Sequence, residues 1–242
     1  MRRHGRVQLT FASYNIHKAV GLDARRDPDR IITVLREVDA DIIALQEADR
    51  RIGQRASVLP RALLDDTRWR PLAVAKRARS LGWHGNALLV RRDFECNFAE
   101  PLDLPTLEPR GAVMAELQLG DQRLRVVGAH LDISGLRRRD QVKAILKHCA
   151  RRERMPTVIM GDFNQWGRLS GAMRAFGMAW QQITPGPSYP ATRPIARFDR
   201  IVTTPDWGYR DSGVHHSAIA AVASDHLPIW ATLDLHKKQA TD

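Results

Sequence analysis

Side chains of the kinds that bind cations or carry protons recur where apolar runs stop. The alternating segment Val7, Leu9, Phe11 stops at Asn15, and the run 41–46 (DIIALQ) stops at Glu47. Residues 123–131 deliver His130, and 157–160 lead through Gly161 to Asp162 and Asn164. Asp225 and His226 stand before the last apolar segment. Carboxylate and amide oxygens are the ligands a hard divalent cation takes. An imidazole beside a carboxylate is fixed in one tautomer and favoured in its charged form. Taken singly, each residue has a plain explanation, because Asp, Asn and Gly punctuate strand ends for reasons of turn geometry. Their joint occurrence is the informative feature, since loops at strand ends are where a rigid scaffold displays reactive groups. Asp162 and Asn164 lie two apart, so an extended backbone would put both on one face, suited to a shared water or phosphate. An Asx-type turn over Gly161 to Gln165 is the alternative for Asn164. His215 and His216 read as surface residues, because neighbours on a strand point to opposite faces.

The elements that must position these groups follow from periodicity. Asp27-Pro28 has the form of an N-cap followed by proline at the first helical position, opening a helix through Ile31, Ile32, Val34 and Leu35. Residues 58–64 are compatible with a helix, and the charge density of 68–79 suggests a loop. Strands are expected over 86–91, 112–119 and 123–131, the last two joined by Gly120-Asp121 as a hairpin. Leu136, Val142, Ile145, Leu146 and Cys149 form one stripe of a helix over 136–150, with Arg139, Lys143 and Lys147 on another. Strands follow at 157–160, 198–202 and 227–235, and a frayed tail closes the chain. Hairpins together with helical crossovers predict two stacked mixed sheets flanked by helices.

Five segments in order, Ser13-Tyr-Asn-Ile-His17, Asp41-Ile-Ile-Ala-Leu-Gln-Glu47, Gly128-Ala-His-Leu131, Gly161-Asp-Phe-Asn164 and Ser224-Asp-His-Leu-Pro228, resemble the successive motifs of the endonuclease/exonuclease/phosphatase superfamily. The combination is specific and spans nearly the whole chain, unlike a lone short motif. The set His84-Gly-Asn86, Arg110-Gly111, Gly161 to Trp166 and Arg197 to Arg200 looks closest to a branch of small bacterial members. The resemblance implies an α/β, four-layer sandwich with the site at one end of the two sheets. It implies magnesium or manganese on Glu47, the principal ligand, with Asn15 and Asp225 contributing directly or through water. It assigns Asp162 to orienting or deprotonating the attacking water and Asn164 to an amide that fixes it. It pairs His226 with Asp199 of Arg197-Phe-Asp-Arg-Ile201 and makes His130 a second phosphate-facing imidazole. Lys18 is expected to contact phosphate, and Arg110 to brace the site or contact substrate.

The 242 residues, 43% hydrophobic and 27% charged, suit one domain with an ordered core over 6–235. A net charge of +11 makes a polyanionic partner plausible. Eight basic residues fall between Arg137 and Arg154, which is first an amphipathic helix and secondarily a candidate phosphate-contacting face. Cys96 and Cys149 make neither a disulfide framework nor a metal or redox spacing, and a cytoplasmic setting is expected. No run approaches the roughly 20 apolar residues of a membrane span, and the basic start lacks an apolar targeting core. The expected function is therefore a metal-dependent phosphoester hydrolase, of nuclease type as a phosphodiesterase. The alternative is a phosphatase or phosphodiesterase of phospholipid head groups or inositol phosphates. A third reading is a non-catalytic nucleic-acid-binding module, which would be expected to have lost one of the site positions.

Overall fold

The computed structural model describes residues 6–106, 110–167 and 171–236. Its strands, in chain order, are β1 (Arg6–Asn15), β2 (Ile42–Gln46), β3 (Trp69–Pro71), β4 (Ala87–Arg91), β5 (Glu95–Leu102), β6 (Gly111–Leu119), β7 (Gln122–His130), β8 (Thr157–Asp162), β9 (Gln181–Ile183), β10 (Asp199–Thr203), β11 (Trp207–Val214) and β12 (Ile229–His236). Four α-helices accompany them: α1 (Pro28–Val38), α2 (Arg61–Asp65), α3 (Gly135–Ala150) and α4 (Ala220–Ala223). The strands form two six-stranded mixed sheets, ordered β11-β12-β1-β2-β4-β3 and β5-β6-β7-β8-β10-β9. This is the expected four-layer α/β sandwich.

Each central strand is buried on both faces, which is why it reads as a nearly continuous apolar run. Ile42 and Ala44 of β2 join Leu88 of β4, Val126 of β7 and Met160 of β8 between the sheets. Ile43 and Leu45 face the opposite way and pack with Ile31 and Leu35 of α1. On the far side, Val127 and Ile159 pack with Val142, Ile145 and Cys149 of α3. The helix start inferred from Asp27-Pro28 is as expected, with the Asp27 carboxylate accepting the amides of Asp29 and Arg30. Three details differ. Leu136 is 80% exposed at the start of α3, and the buried inner face uses Gln141, whose amide oxygen accepts the Asp132 N–H. The helix expected over 58–64 is only the short α2, and the loop expected over 68–79 contains β3. The C-terminal tail beyond 236 lies outside the described residues.

The register of the two parallel pairs is what assembles a site. β1 and β2 run parallel with Asn15 opposite Gln46, so Asn15 and Glu47 emerge at the same end of their sheet. β7 and β8 run parallel with His130 opposite Asp162, and antiparallel β10 sets Asp199 opposite Asp162. Gly161 permits this pairing, because a Cβ there would lie 1.8 Å from the Ala129 carbonyl oxygen.

Away from that end, the second sheet buries an ion pair. Arg125, 2% exposed, donates from Nη2 to Glu116 Oε1 at 2.8 Å, and Arg152 Nε donates to the same oxygen at 2.6 Å. Breaking a buried pair strands the surviving charge and typically costs about 3–5 kcal/mol. Glu116→Ala should therefore lower the unfolding free energy by about that amount, read as a reduced urea midpoint with an unchanged slope. Arg125→Met together with Glu116→Leu should recover most of the loss.

Candidate active site

Asp162, at the C-terminal end of β8, is the hub. Its Oδ2 accepts a hydrogen bond from Asn15 Nδ2 at 3.0 Å and lies 3.3 Å from His130 Nε2 and 3.7 Å from His226 Nε2. Its Oδ1 accepts the Asn164 N–H at 2.9 Å. Asn164 has φ +51, so the extended geometry expected for 162–164 gives way to an Asx-type turn, and Asn164 Nδ2 donates to the Leu131 carbonyl at 3.0 Å. The two side chains are still neighbours, through the turn rather than through strand alternation.

The two imidazoles of the site are driven in opposite directions. His226 Nδ1 is 2.9 Å from Asp199 Oδ2, which also accepts the Ser188 hydroxyl at 2.5 Å. Burial works against a charge on His226, but the carboxylates of Asp199 and Asp162 outweigh it and push its pKa up to about 10. Burial dominates at His130 and, against the pull of Asp162 and with the charge of Arg110 alongside, pushes its pKa down to about 3. At neutral pH the site thus presents one imidazolium and one neutral imidazole, the separation of states that acid–base sites exploit. His130 Nε2 is also the contact of the Arg110 guanidinium. Arginine keeps its protons, so that contact requires a lone pair on Nε2, and the 3.3 Å approach to Asp162 is then not a hydrogen bond.

Glu47 follows β2 with φ +55, and its carboxylate is paired with the Lys18 ammonium. Burial would raise the Glu47 pKa, but the hydrogen bond and charge of Lys18 hold it below the usual carboxylate range. Asn15 Oδ1 accepts the His17 N–H at 3.1 Å, and Asp225, with its side chain 33% exposed, lies 4.0 Å from His17 Nδ1. The donors fit a hydrated hard cation. One ionised carboxylate already attracts a cationic group, an amide oxygen retains a lone pair, and a second carboxylate faces solvent. Asp162, Asp199 and His226 also have ligand atoms within 4.8 Å of one another. Within that trio His226 Nδ1 is engaged by Asp199, and Nε2 lies 3.7 Å from Asp162 Oδ2.

Lys18, Glu47, His84 and Asn164 all adopt left-handed backbone although none is glycine. Such strain costs on the order of 1–3 kcal/mol per residue and gathers at functional sites. All ten sequence-derived candidates, Asn15, Lys18, Glu47, Arg110, His130, Asp162, Asn164, Asp199, Asp225 and His226, lie at this end of the sheets. Sequence reasoning missed Ser188, which braces Asp199, and Tyr189, whose ring lies 4.9 Å from that of His226. Both fall in a Pro-rich loop without periodicity. Ser224, whose hydroxyl donates to the Asn15 carbonyl at 2.7 Å, stood in a recognised motif but received no role. In the basic run, Arg138 reaches back to Gln165 and Arg152 to Glu116, while Arg139, Lys143 and Lys147 stay exposed.

Two stacked sheets carry carboxylates, amides and two imidazoles at one end, and the family match over most of the chain supports a phosphoesterase hydrolase. Residues 12–226 match the model of the Endonuclease/Exonuclease/phosphatase family, and the chain belongs to that family. A search of the curated proteins finds no match to the sequence. Among solved structures, an endonuclease/exonuclease/phosphatase family protein from Bacteroides thetaiotaomicron superposes with a TM-score of 0.72 at 19% identity, covering 98% of each chain. D. rerio TDP2 complexed with single strand DNA product gives a TM-score of 0.70 at 16% identity over 93% of this chain and 98% of that one. A mannosyl-6-phosphatase of Bacteroides thetaiotaomicron gives 0.68 at 20% identity, covering 93% and 99%. These likenesses concern the fold. Among the described residues, no helix is long and apolar enough to cross a membrane.

Proposed function

We propose that the chain is a divalent-metal-dependent phosphodiesterase of nuclease type. The observation that carries the reading is the position of Asp162 Oδ2, which is flanked by the buried side chains of Asn15, His130 and His226. There Asp162 orients and deprotonates the attacking water, held in register by Asn15 and by the turn to Asn164. The His226 imidazolium, kept charged by Asp199, directs Nε2–H at a phosphoryl oxygen and stabilises the charge that builds on it. His130, neutral, offers a second contact to phosphate once Arg110 turns to the incoming anion and the ring takes the tautomer with its proton on Nε2. Glu47, with Asn15 and Asp225, would hold magnesium or manganese. When bound, the ion supplies positive charge to a phosphoryl oxygen and to the leaving oxygen. Lys18 then moves from Glu47 to the substrate phosphate.

Nucleic acid is the favoured substrate because of the +11 charge and the exposed Arg139, Lys143 and Lys147. The likeness to a protein crystallised with a single strand DNA product agrees with this. A panel of DNA, RNA, abasic-site DNA, phosphoinositide and phospholipid substrates, each with magnesium and with manganese, tests it. Cleavage of a nucleic acid with a KM that rises steeply with salt is the expected result. Turnover confined to lipid or inositol phosphates would replace the nuclease reading with the phosphatase or lipid one.

A further inference from the structure

The cleft into which Glu47 opens does not stop at the residues discussed so far. It continues past Glu47 and Arg110 to Arg50, Arg55 and His84. Two loops, 48–58 and 79–86, build this extension, and they are tied together rather than loosely apposed. The buried Asp49 carboxylate accepts the amides of Leu81 at 2.6 Å and Gly82 at 3.2 Å. The Ala48 N–H donates to the Gly85 carbonyl at 2.9 Å, and the Ser80 hydroxyl donates to the Arg55 carbonyl at 2.7 Å. Gly85, at φ +81, packs so closely that a Cβ would lie 3.1 Å from the Glu47 Cα, which fixes His84 beside the Glu47 backbone.

The polar groups at this end are donors. Arg55 Nη1 lies 2.9 Å from His84 Nδ1. Because the guanidinium does not lose its proton, Nδ1 accepts, and a neutral His84 ring carries its hydrogen on Nε2. Burial, followed by the charge of Arg55, pushes the His84 pKa down and keeps the ring neutral. The extension therefore offers three guanidinium groups, those of Arg50, Arg51 and Arg55, and one ring N–H. Its nearby carboxylate, Asp49, accepts the backbone amides of Leu81 and Gly82. Among the described residues, no carboxylate forms an ion pair with Arg50 or Arg55. Like charges held together by a rigid loop pair cost free energy unless an anion joins them, and phosphate is the anion such a fork accepts.

We propose that Arg50, Arg55 and His84 form a second anion subsite, which takes a phosphate group of the substrate other than the one being hydrolysed. The inference rests on the phosphoesterase reading of the neighbouring site and deepens it. A substrate with two phosphates is preferred over one with a single phosphate, whether the second is the next internucleotide phosphate or one on a small polyol.

Calorimetric binding of thymidine 3′,5′-bisphosphate and thymidine 5′-monophosphate, in magnesium, is the test. The wild type should bind the bisphosphate about tenfold or more tightly, the size of one hydrogen bond to a charged group. Arg55→Gln should abolish the difference by weakening the bisphosphate alone, and Arg55→Lys should retain part of it. Should Arg55→Gln fail to fold, Arg50→Gln, at an exposed position, reads the same difference. Equal wild-type affinities, equal weakening of both ligands by the variant, or no bisphosphate binding at millimolar concentration would each overturn the subsite. An inositol bisphosphate in a parallel titration distinguishes the two sources of the second phosphate. Wild-type hydrolysis of bis(p-nitrophenyl) phosphate is measured alongside. Its absence with discrimination intact refutes the catalytic reading alone, and its presence without discrimination refutes the subsite alone.

Discussion

Asp162→Asn should lower kcat by about 10²–10⁴-fold while changing KM little, the loss expected when a positioned general base is removed. The substitution preserves size, and an amide oxygen in the place of Oδ1 still accepts the Asn164 N–H, so the turn at the end of β8 survives, while the amide nitrogen in the place of Oδ2 no longer accepts from Asn15. What disappears is basicity and the negative charge facing His226. Steady-state kinetics on a phosphodiester, with the melting temperature checked in parallel, separates the two contributions. A variant with near wild-type kcat would make Asp162 a turn residue and would move the base elsewhere.

Asp199→Ala and His226→Ala should each reduce kcat severely, by roughly 10²–10³-fold if the imidazolium is the main stabiliser of phosphoryl charge. The double variant should be hardly worse than the worse single one, because groups that act as a unit are non-additive. The physical reason lies in the balance at His226. Burial alone would push its pKa down, and Asp199 is the foremost of the carboxylates that push it up to about 10. Since the folded value lies above the unfolded one near 6.5, the stabilisation is fully present below about pH 6.5 and is lost as pH rises towards 10. The wild type should thus keep its charged imidazole across the neutral range. In Asp199→Asn the alkaline limb of the pH–rate profile should move downward, and the His226 ring signals should titrate at lower pH. Additive losses in the cycle, or an unshifted limb, would separate the two residues.

Much of the site was legible because the chain writes it at strand ends. Asn15, Glu47, His130 and Asp162 close four apolar runs, and parallel pairing with matched register carries them to one end. The layers were legible for a related reason, as strands buried on both faces must be covered by helices such as α1 and α3. What periodicity did not contain is as informative. β5, with its mixed burial pattern, and β11, in which only Trp207 is buried, lack a clear apolar run and were not found. Leu136 matched the apolar stripe of α3 but precedes the first turn that touches the sheet, so the pattern overstated the buried face. The turn at Asn164 stood only as the alternative to an extended segment, because left-handed backbone at a non-glycine residue has no signature in alternation. Arg55 and His84 come together only through two loops held by Asp49, a long-range arrangement that no local pattern specifies.

The most direct test of the account is hydrolysis of bis(p-nitrophenyl) phosphate by the wild type and by Glu47→Gln, each with millimolar magnesium or manganese and again in excess chelator. Weak, largely hydrated binding through one strong carboxylate predicts activity that needs the added ion, disappears with chelator and returns on ion replacement. Glu47→Gln should remain cooperatively folded and lose most of its turnover at every ion concentration. Full wild-type turnover in excess chelator, or a Glu47→Gln variant as active as the wild type, would contradict a metal-dependent phosphoesterase built on Glu47.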